Sequence, residues 1–421
     1  MLTVISNATA SGLEIISIFL VLLVVILSST LFESVGAAEP VRILAMGQVD
    51  PGYSPILGFM NSEPAFDGTL LICRSIFVEY SEEQLRRFMR IYFPRSYGDL
   101  LRYDYFVFDQ PMLIFFDDDQ IRWMYRAMKE KGTGALAFTI SQRTEMYVPW
   151  MNSVLPEAFP HDQQRIVSKA EYNIVSYDID VNDDPSLPPV LKPFKELGIE
   201  RIRPYGRLRL LFRKQGTTEW ATARNLPFFG FPSCPLFVSW EYGENESRIW
   251  STANQFHHPF WDQSDGKERY ALDVFSNIVL YGCRRDLPAD ILTVHRIRGL
   301  FSEYRARMGM LYSLLDFVER FGASTRRMQG RISELDSMEG EAESYYLNQE
   351  FESALARQGE VFDHFVTVEA EAVKVKENAL LWVYTMEWLT VSGTAMLTGF
   401  VLWTIMVRRA FYRDVSVTRA S

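Results

Sequence analysis

The sequence predicts an α/β domain built on a mainly parallel sheet, followed by an α-helical stalk and a C-terminal transmembrane helix. Three observations predict it. Short unbroken apolar runs alternate with amphipathic stretches from residue 41 to about 285, the pattern of strands covered on both faces by helices. No proline occurs after Pro288, and helical periodicity then runs to the chain's last apolar segment. That segment, residues 379–407, is long enough to cross a bilayer with tilt.

The elements follow in order. Residues 41–48 (VRILAMGQ), 69–78 (TLLICRSIFV), 103–108 (YDYFVF) and 135–140 (ALAFTI) read as strands. Between them, residues 81–91 form a helix capped by Ser81, with Leu85, Phe88 and Met89 on one face. Residues 117–129 form another, with Asp117, Asp118 and Asp119 at its positive end. Residues 173–181 read as a strand, and 207–213 with 219–223 as a hairpin. A second hairpin comes from 235–240 and 248–251, and 271–281 is a closing amphipathic helix.

The stalk divides at Gly322 and Gly340 into helices 289–321, 323–338 and 341–378. In the last, Phe351, Leu355, Gln358, Phe362, Phe365, Glu369 and Ala372 recur as a coiled-coil-like seam. Leu300, Met308, Leu311, Leu315 and Val318 of the first are expected to cover it, giving an intrachain hairpin or three-helix unit.

Two apolar segments set the expected topology. Residues 15–29 are uncharged and short for a span; with the small residues 35–38 behind them they read as a secretory signal, or as an uncleaved N-terminal anchor. Either way the following chain lies outside the cytoplasm. Behind residues 379–407 come Arg408, Arg409 and Arg413, which mark the cytoplasmic side. The organisation is therefore 1–38 signal or anchor, 39–285 extracytoplasmic α/β domain, 286–378 stalk, 379–407 transmembrane helix and 408–421 cytoplasmic tail. Ala395 and Gly399 form a small-xxx-small step on which two such helices can pack, so self-association is one possible partnership besides the lipid bilayer.

Composition narrows the function. At 48% hydrophobic and 23% charged residues the chain can bury a core and is not disordered. A net charge of −10 disfavours a nucleic-acid partner, which needs a basic face. Cys73, Cys234 and Cys283 lack the spacing of a zinc site and read as small buried side chains, with one disulfide as the alternative. There is no P-loop, Rossmann fingerprint, HExxH or GxSxG, and no cofactor or metal site is expected.

The order YDYFVFDQP, amphipathic helix, KGTGALAFTI, then PLFVSWEYGENESRIW and VFSNIVLYG, resembles the class I glutamine amidotransferase-like domain, in the form carried by membrane-anchored surface proteins of prokaryotes, archaea above all. The resemblance covers residues 41–283 and implies a flavodoxin-like three-layer sandwich. It does not carry catalysis with it. The family's nucleophilic cysteine follows the strand here written ALAFTI, where this chain has Ser141-Gln142-Arg143. Its His-Pro-Glu has no counterpart beyond His257-His258-Pro259-Phe260. Glutaminase activity is not expected. Ser141 and His257 are the weak catalytic candidates; a helix cap and a loop residue are their plainer readings. The expectation is a catalytically silent head that binds an extracytoplasmic ligand or protein, with a membrane-anchored hydrolase of an envelope substrate as the alternative.

Overall fold

The computed structural model describes residues 39–418 except 52–53, 76–77, 139–143, 163–171, 227–229, 255–258, 262–267 and 323. Ser141, His257, His258 and the segment 1–38 lie outside the described residues. The chain divides into two compact units. One holds the residues up to Gly299 together with Glu343–Ala354; the other holds Leu300–Ala342 and the chain from Leu355 onward.

The first unit opens with β1 (Val41–Gly47), α1 (Pro55–Ser62), β2 (Phe66–Ile72), α2 (Glu82–Tyr92), α3 (Tyr97–Leu100) and β3 (Tyr105–Asp109). It continues with α4 (Asp118–Glu130), β4 (Gly134–Phe138), α5 (Thr144–Met151), α6 (Leu155–Ala158), β5 (Tyr172–Ser176), β6 (Asp178–Val181) and α7 (Lys192–Leu197). β7 (Tyr205–Arg209), β8 (Thr218–Arg224), β9 (Ser233–Tyr242), β10 (Ser247–Thr252) and α8 (Ala271–Gly282) complete it. An eight-stranded sheet runs in the order β2-β1-β3-β4-β10-β9-β8-β6. Its first five strands are parallel and the last three join antiparallel.

Strand periodicity explains the layers. Successive side chains point to opposite faces, so a strand apolar at every position must be covered twice. Ile43, Ala45, Tyr105, Val107, Leu136 and Phe138 enter one core with α1 and α8. Their neighbours Leu44, Met46, Phe106, Phe108, Ala135 and Ala137 enter the other, with α2, α4 and α5. This is the expected mixed α/β architecture. The helix starts agree as well: Ser81 Oγ accepts from Gln84 N at 3.2 Å while Gln84 Oε1 accepts from Ser81 N at 2.8 Å.

Two strand pairings differ from expectation. Residues 173–181 form two strands, and β7 pairs with β5 in a separate two-stranded sheet instead of forming a hairpin with β8. β8 pairs with β9 and β6. Alternation identifies a strand but not its partner, and here the partner is distant in sequence. The 235–240/248–251 hairpin is present as β9–β10. All three cysteines are free, with Cys73 and Cys234 buried.

After α8 come α9 (Ile291–Arg320), α10 (Arg326–Leu347) and α11 (Phe351–Thr418). The expected break at Gly340 is absent; α10 runs through it to Leu347. A single glycine inside a helix costs only about 1 kcal/mol, which neighbouring packing outweighs. At its start α9 belongs to the first unit, where the fully buried Arg298 bridges three groups. Its Nε pairs with Glu63, its Nη1 with Asp273 Oδ1 at 2.6 Å, and its Nε donates to Tyr346 Oη at 3.0 Å. Burial works against this guanidinium's charge, but Glu63, Tyr346 and Asp273 outweigh it and raise its pKa.

In the second unit three helices cover one another. Tyr304, Met308, Leu311 and Leu315 of α9 meet Met328, Ile332 and Leu335 of α10 and Val361, Phe365, Val368 and Ala372 of α11. The seam of α11 is rotated from the expected one. Gln358, Phe365 and Ala372 are buried in both, but Val361 and Val368 take the places expected for Phe362 and Glu369. The two heptad frames share every second position, and the smaller valines suit close helix approach. Phe362 lies at the edge instead, with the Arg307 guanidinium 5.6 Å from its ring centre.

α11 then continues without interruption into an apolar stretch long enough to cross a membrane. Among the described residues nothing covers that stretch: Leu381, Trp388 and Met396 are 67%, 74% and 77% exposed. Its Thr and Ser hydroxyls, Thr390, Thr394 and Thr398 among them, donate to carbonyls one turn back. Ala395 and Gly399 lie on this exposed stretch.

Candidate functional site

The parallel part of the sheet contains a switch point. From β1 the chain crosses to β2 on one side and then returns to place β3 on the other. The two crossovers leave in opposite directions, and in open α/β sheets ligands are taken beyond the carboxyl ends of the strands at such a point. The residues there are Gln48 and Asp50 after β1, Arg74 after β2, and Asp109 and Gln110 at the end of β3. All are at most 9% exposed.

The backbone brings these ends unusually close. Gly47 has φ +125°, and a Cβ there would lie 1.9 Å from the Asp109 carbonyl oxygen. Only glycine fits. Gln48 N donates to that same carbonyl at 2.8 Å, and Cys73 N donates to Gly47 O at 3.2 Å. Gln110 itself is left-handed at φ +52°, a conformation that costs a non-glycine residue energy and turns its side chain back toward Arg74. Arg74 Nη1 donates to Gln110 Oε1 at 2.7 Å.

The electrostatics are uneven. Neither carboxylate oxygen of Asp109 has a hydrogen-bond partner among the described residues. Burial pushes its pKa up to about 7; Arg74 and Arg209 pull it down, and the charge of Asp50 pushes it up again. Asp50 is raised too, chiefly by burial. Ser75 and Tyr80 lie beside it and hold it down, although neither makes a well-aligned hydrogen bond to it. Arg209, at the end of β7, is brought in by the pairing of Leu208 with Asn254 and the bond from Arg209 N to Ala253 O at 3.2 Å.

A second polar pair joins β10 to the segment that follows α6. His161 Nδ1 is 2.7 Å from Ser251 Oγ. Burial, with the charge of Lys214, pushes His161 down to about 3, so it is a weak base and serves Ser251 as a neutral partner. Among the described residues no group of three His, Cys, Asp or Glu is arranged to hold a metal ion. Asn245 donates to Glu130 O, and the buried Ser247 donates to Met128 O.

None of the switch-point residues was singled out from the sequence, and Ser141 and His257, which were, lie outside the described residues. The signal was present. VRILAMGQVD places Asp50 three residues past a largely apolar strand, and YDYFVFDQP places Asp109 at the end of another. Such a residue is buried with its strand's end, but only the strand order reveals that the two ends adjoin.

Compared with known proteins, the chain matches no family model and no curated protein.

Proposed function

We propose that this chain is a membrane-anchored extracytoplasmic binding protein. Its glutamine amidotransferase-like α/β head is catalytically silent and takes a small ligand at the β1/β3 switch point. The observation that carries the reading is the buried pair Asp50 and Asp109, with the oxygens of Asp109 unpartnered among the described residues, next to Arg74. A buried carboxyl without a hydrogen bond is costly, and a ligand that donates to it recovers that cost. Buried carboxyls with the guanidinium groups of Arg74 and Arg209 beside them suit a solute with both an ammonium and a carboxylate, an amino acid or short peptide. The apolar stretch of α11 is the anchor. Arg408 and Arg409 behind it support a cytoplasmic C-terminus and an external head.

The test is thermal unfolding of the detergent-solubilised chain with amino acids and dipeptides. A binder present at a hundred times its Kd stabilises by about 2.7 kcal/mol. The gain should vanish in Asp109→Asn and in Arg74→Ala. Absence of any stabilising member of this class would remove the ligand assignment. For the anchor, external protease on intact cells should cut the head; protection until lysis would reverse the orientation.

A further inference from the structure

The second unit carries a feature that a ligand-binding head and a single span do not require. Where α9 turns into α10, Phe317 and Phe321 are both 38% exposed, with ring centres 4.8 Å apart. Around them stand Arg320, with its side chain 75% exposed, and the exposed Arg326 and Arg327 of the next helix. Exposed phenylalanines beside arginines are a poor surface for water and a good one for a lipid headgroup layer, which offers phosphates outside and hydrocarbon just beneath.

The helix register says what lies beside this turn. α9 and α11 run in the same direction, with Tyr304 against Phe365 at 5.9 Å between ring centres and Arg307 3.9 Å from Glu369. α10 runs back between them, with Arg357 2.7 Å from Glu341 and Arg331 3.6 Å from Glu371. Carrying the Tyr304–Phe365 level along both helices at equal rise puts Phe317 and Phe321 level with residues 378–382. That is where the bundle ends: Ala379 is 5% exposed, and Leu381 and Trp382 are 67% and 61% exposed. The aromatic turn therefore stands at the level where the apolar stretch of α11 begins.

We propose that the α9–α10 turn is a second membrane contact, seated in the anionic headgroup layer of the bilayer that α11 crosses. Phe317 and Phe321 enter the interface, and Arg320, Arg326 and Arg327 meet lipid phosphates. Lys374 and Lys376 lie near the same level on α11. The acidic groups there are fewer: Asp316 shares Arg320 at 2.7 Å, Glu319 is bonded to Thr325, and Glu377 lies on α11. In a chain of net charge −10 this basic end is local. Two contacts, a span and a turn, fix the tilt of the three-helix unit against the membrane in a way that one helix does not.

The inference rests on the membrane reading given above, and the test separates the two. The full chain carrying Cys283→Ser is reconstituted in vesicles of equal parts phosphatidylcholine and phosphatidylglycerol. A nitroxide is placed at Ser324→Cys in the turn, at Met310→Cys farther up α9, or at Leu397→Cys in the apolar stretch. Relaxation by oxygen is compared with relaxation by a water-soluble nickel complex. The oxygen-to-nickel ratio at 324 should exceed that at 310 several-fold and stay below that at 397. Arg320→Glu, Arg326→Glu and Arg327→Glu together should bring the 324 ratio down to the value at 310. A ratio at 324 equal to that at 310, while 397 reads the bilayer interior, overturns the second contact alone. A water-like ratio at 397 overturns the anchor and this proposal with it. An unchanged ratio at 324 in the triple variant overturns the role of the arginines.

Discussion

Around Arg298, Glu63 and Asp273 are fully buried carboxylates, each paired with one guanidinium that is itself fully buried. At the β1/β3 switch point, Asp50 and Asp109 are buried as completely, but Arg74 spends its 2.7 Å hydrogen bond on Gln110, and the oxygens of Asp109 find no partner among the described residues. The same residue types thus meet two fates in one unit. Where charge is neutralised, it ties α8, the chain before β2 and the end of α10 to the start of α9. Where it is not, burial raises the carboxyl's pKa and favours its protonated form. Burial raises Asp109 to about 7, and the ligand site proposed above rests on this uncompensated carboxyl.

The largest effect belongs to the neutralised cluster. Arg298→Ala should destabilise the first unit by about 3–5 kcal/mol, because it strands two buried carboxylates. Adding Glu63→Gln and Asp273→Asn should recover much of that loss. If the triple variant is no better than Arg298→Ala, the loss is one of packing, and the contrast between the two sites weakens.

Arg74→Ala should act in the same direction with a smaller size. It removes a charge-assisted hydrogen bond of about 1.5–3 kcal/mol and a charge that holds Asp109 down. The loss should be greater at pH 8 than at pH 5, since at pH 5 Asp109 is protonated and has less need of the guanidinium. Equal losses at both pH values would separate Arg74 from Asp109. The exposed pair Arg86 and Glu82, 2.8 Å apart on α2, calibrates the scale: Arg86→Ala should change stability by less than about 0.5 kcal/mol in urea titration.

How much of this was legible in the sequence follows from the range of each interaction. Apolar runs and caps are local, so β1, β3, β4, α2 and α4 could be read to within a few residues, as could the α11 stretch long enough to cross a membrane. β7 was recognisable as a strand, but its pairing with β5 brings together residues far apart in sequence. The α11 seam was read in the wrong frame because a heptad pattern containing Val361, Phe362 and Phe365 admits two registers, and only the facing helices choose. Asp109 was visible as the residue ending an apolar strand, and Asp50 as one shortly after another. Their significance required the strand order β2-β1-β3, which places the two ends side by side.

The central claim is that Asp109 is held in the folded protein against its own chemistry, and its pH dependence tests that most directly. The folded carboxyl titrates at about 7 against a reference value of 3.8, so between these values the folded state holds more proton than the unfolded one. Stability attributable to Asp109 is therefore full below about pH 4 and is lost as pH rises toward 7, at up to about 1.4 kcal/mol per pH unit. Glu268, also raised to about 7 by burial, adds a slope of the same sign, so the informative quantity is the difference between wild type and Asp109→Asn. Unfolding is followed by the buried tryptophans of the first unit, Trp150, Trp250 and Trp261. The account predicts near-equal stability at pH 4 and an advantage for Asp109→Asn that widens up to pH 7 and then holds constant. Parallel pH profiles, or a variant less stable than wild type at pH 8, would contradict it.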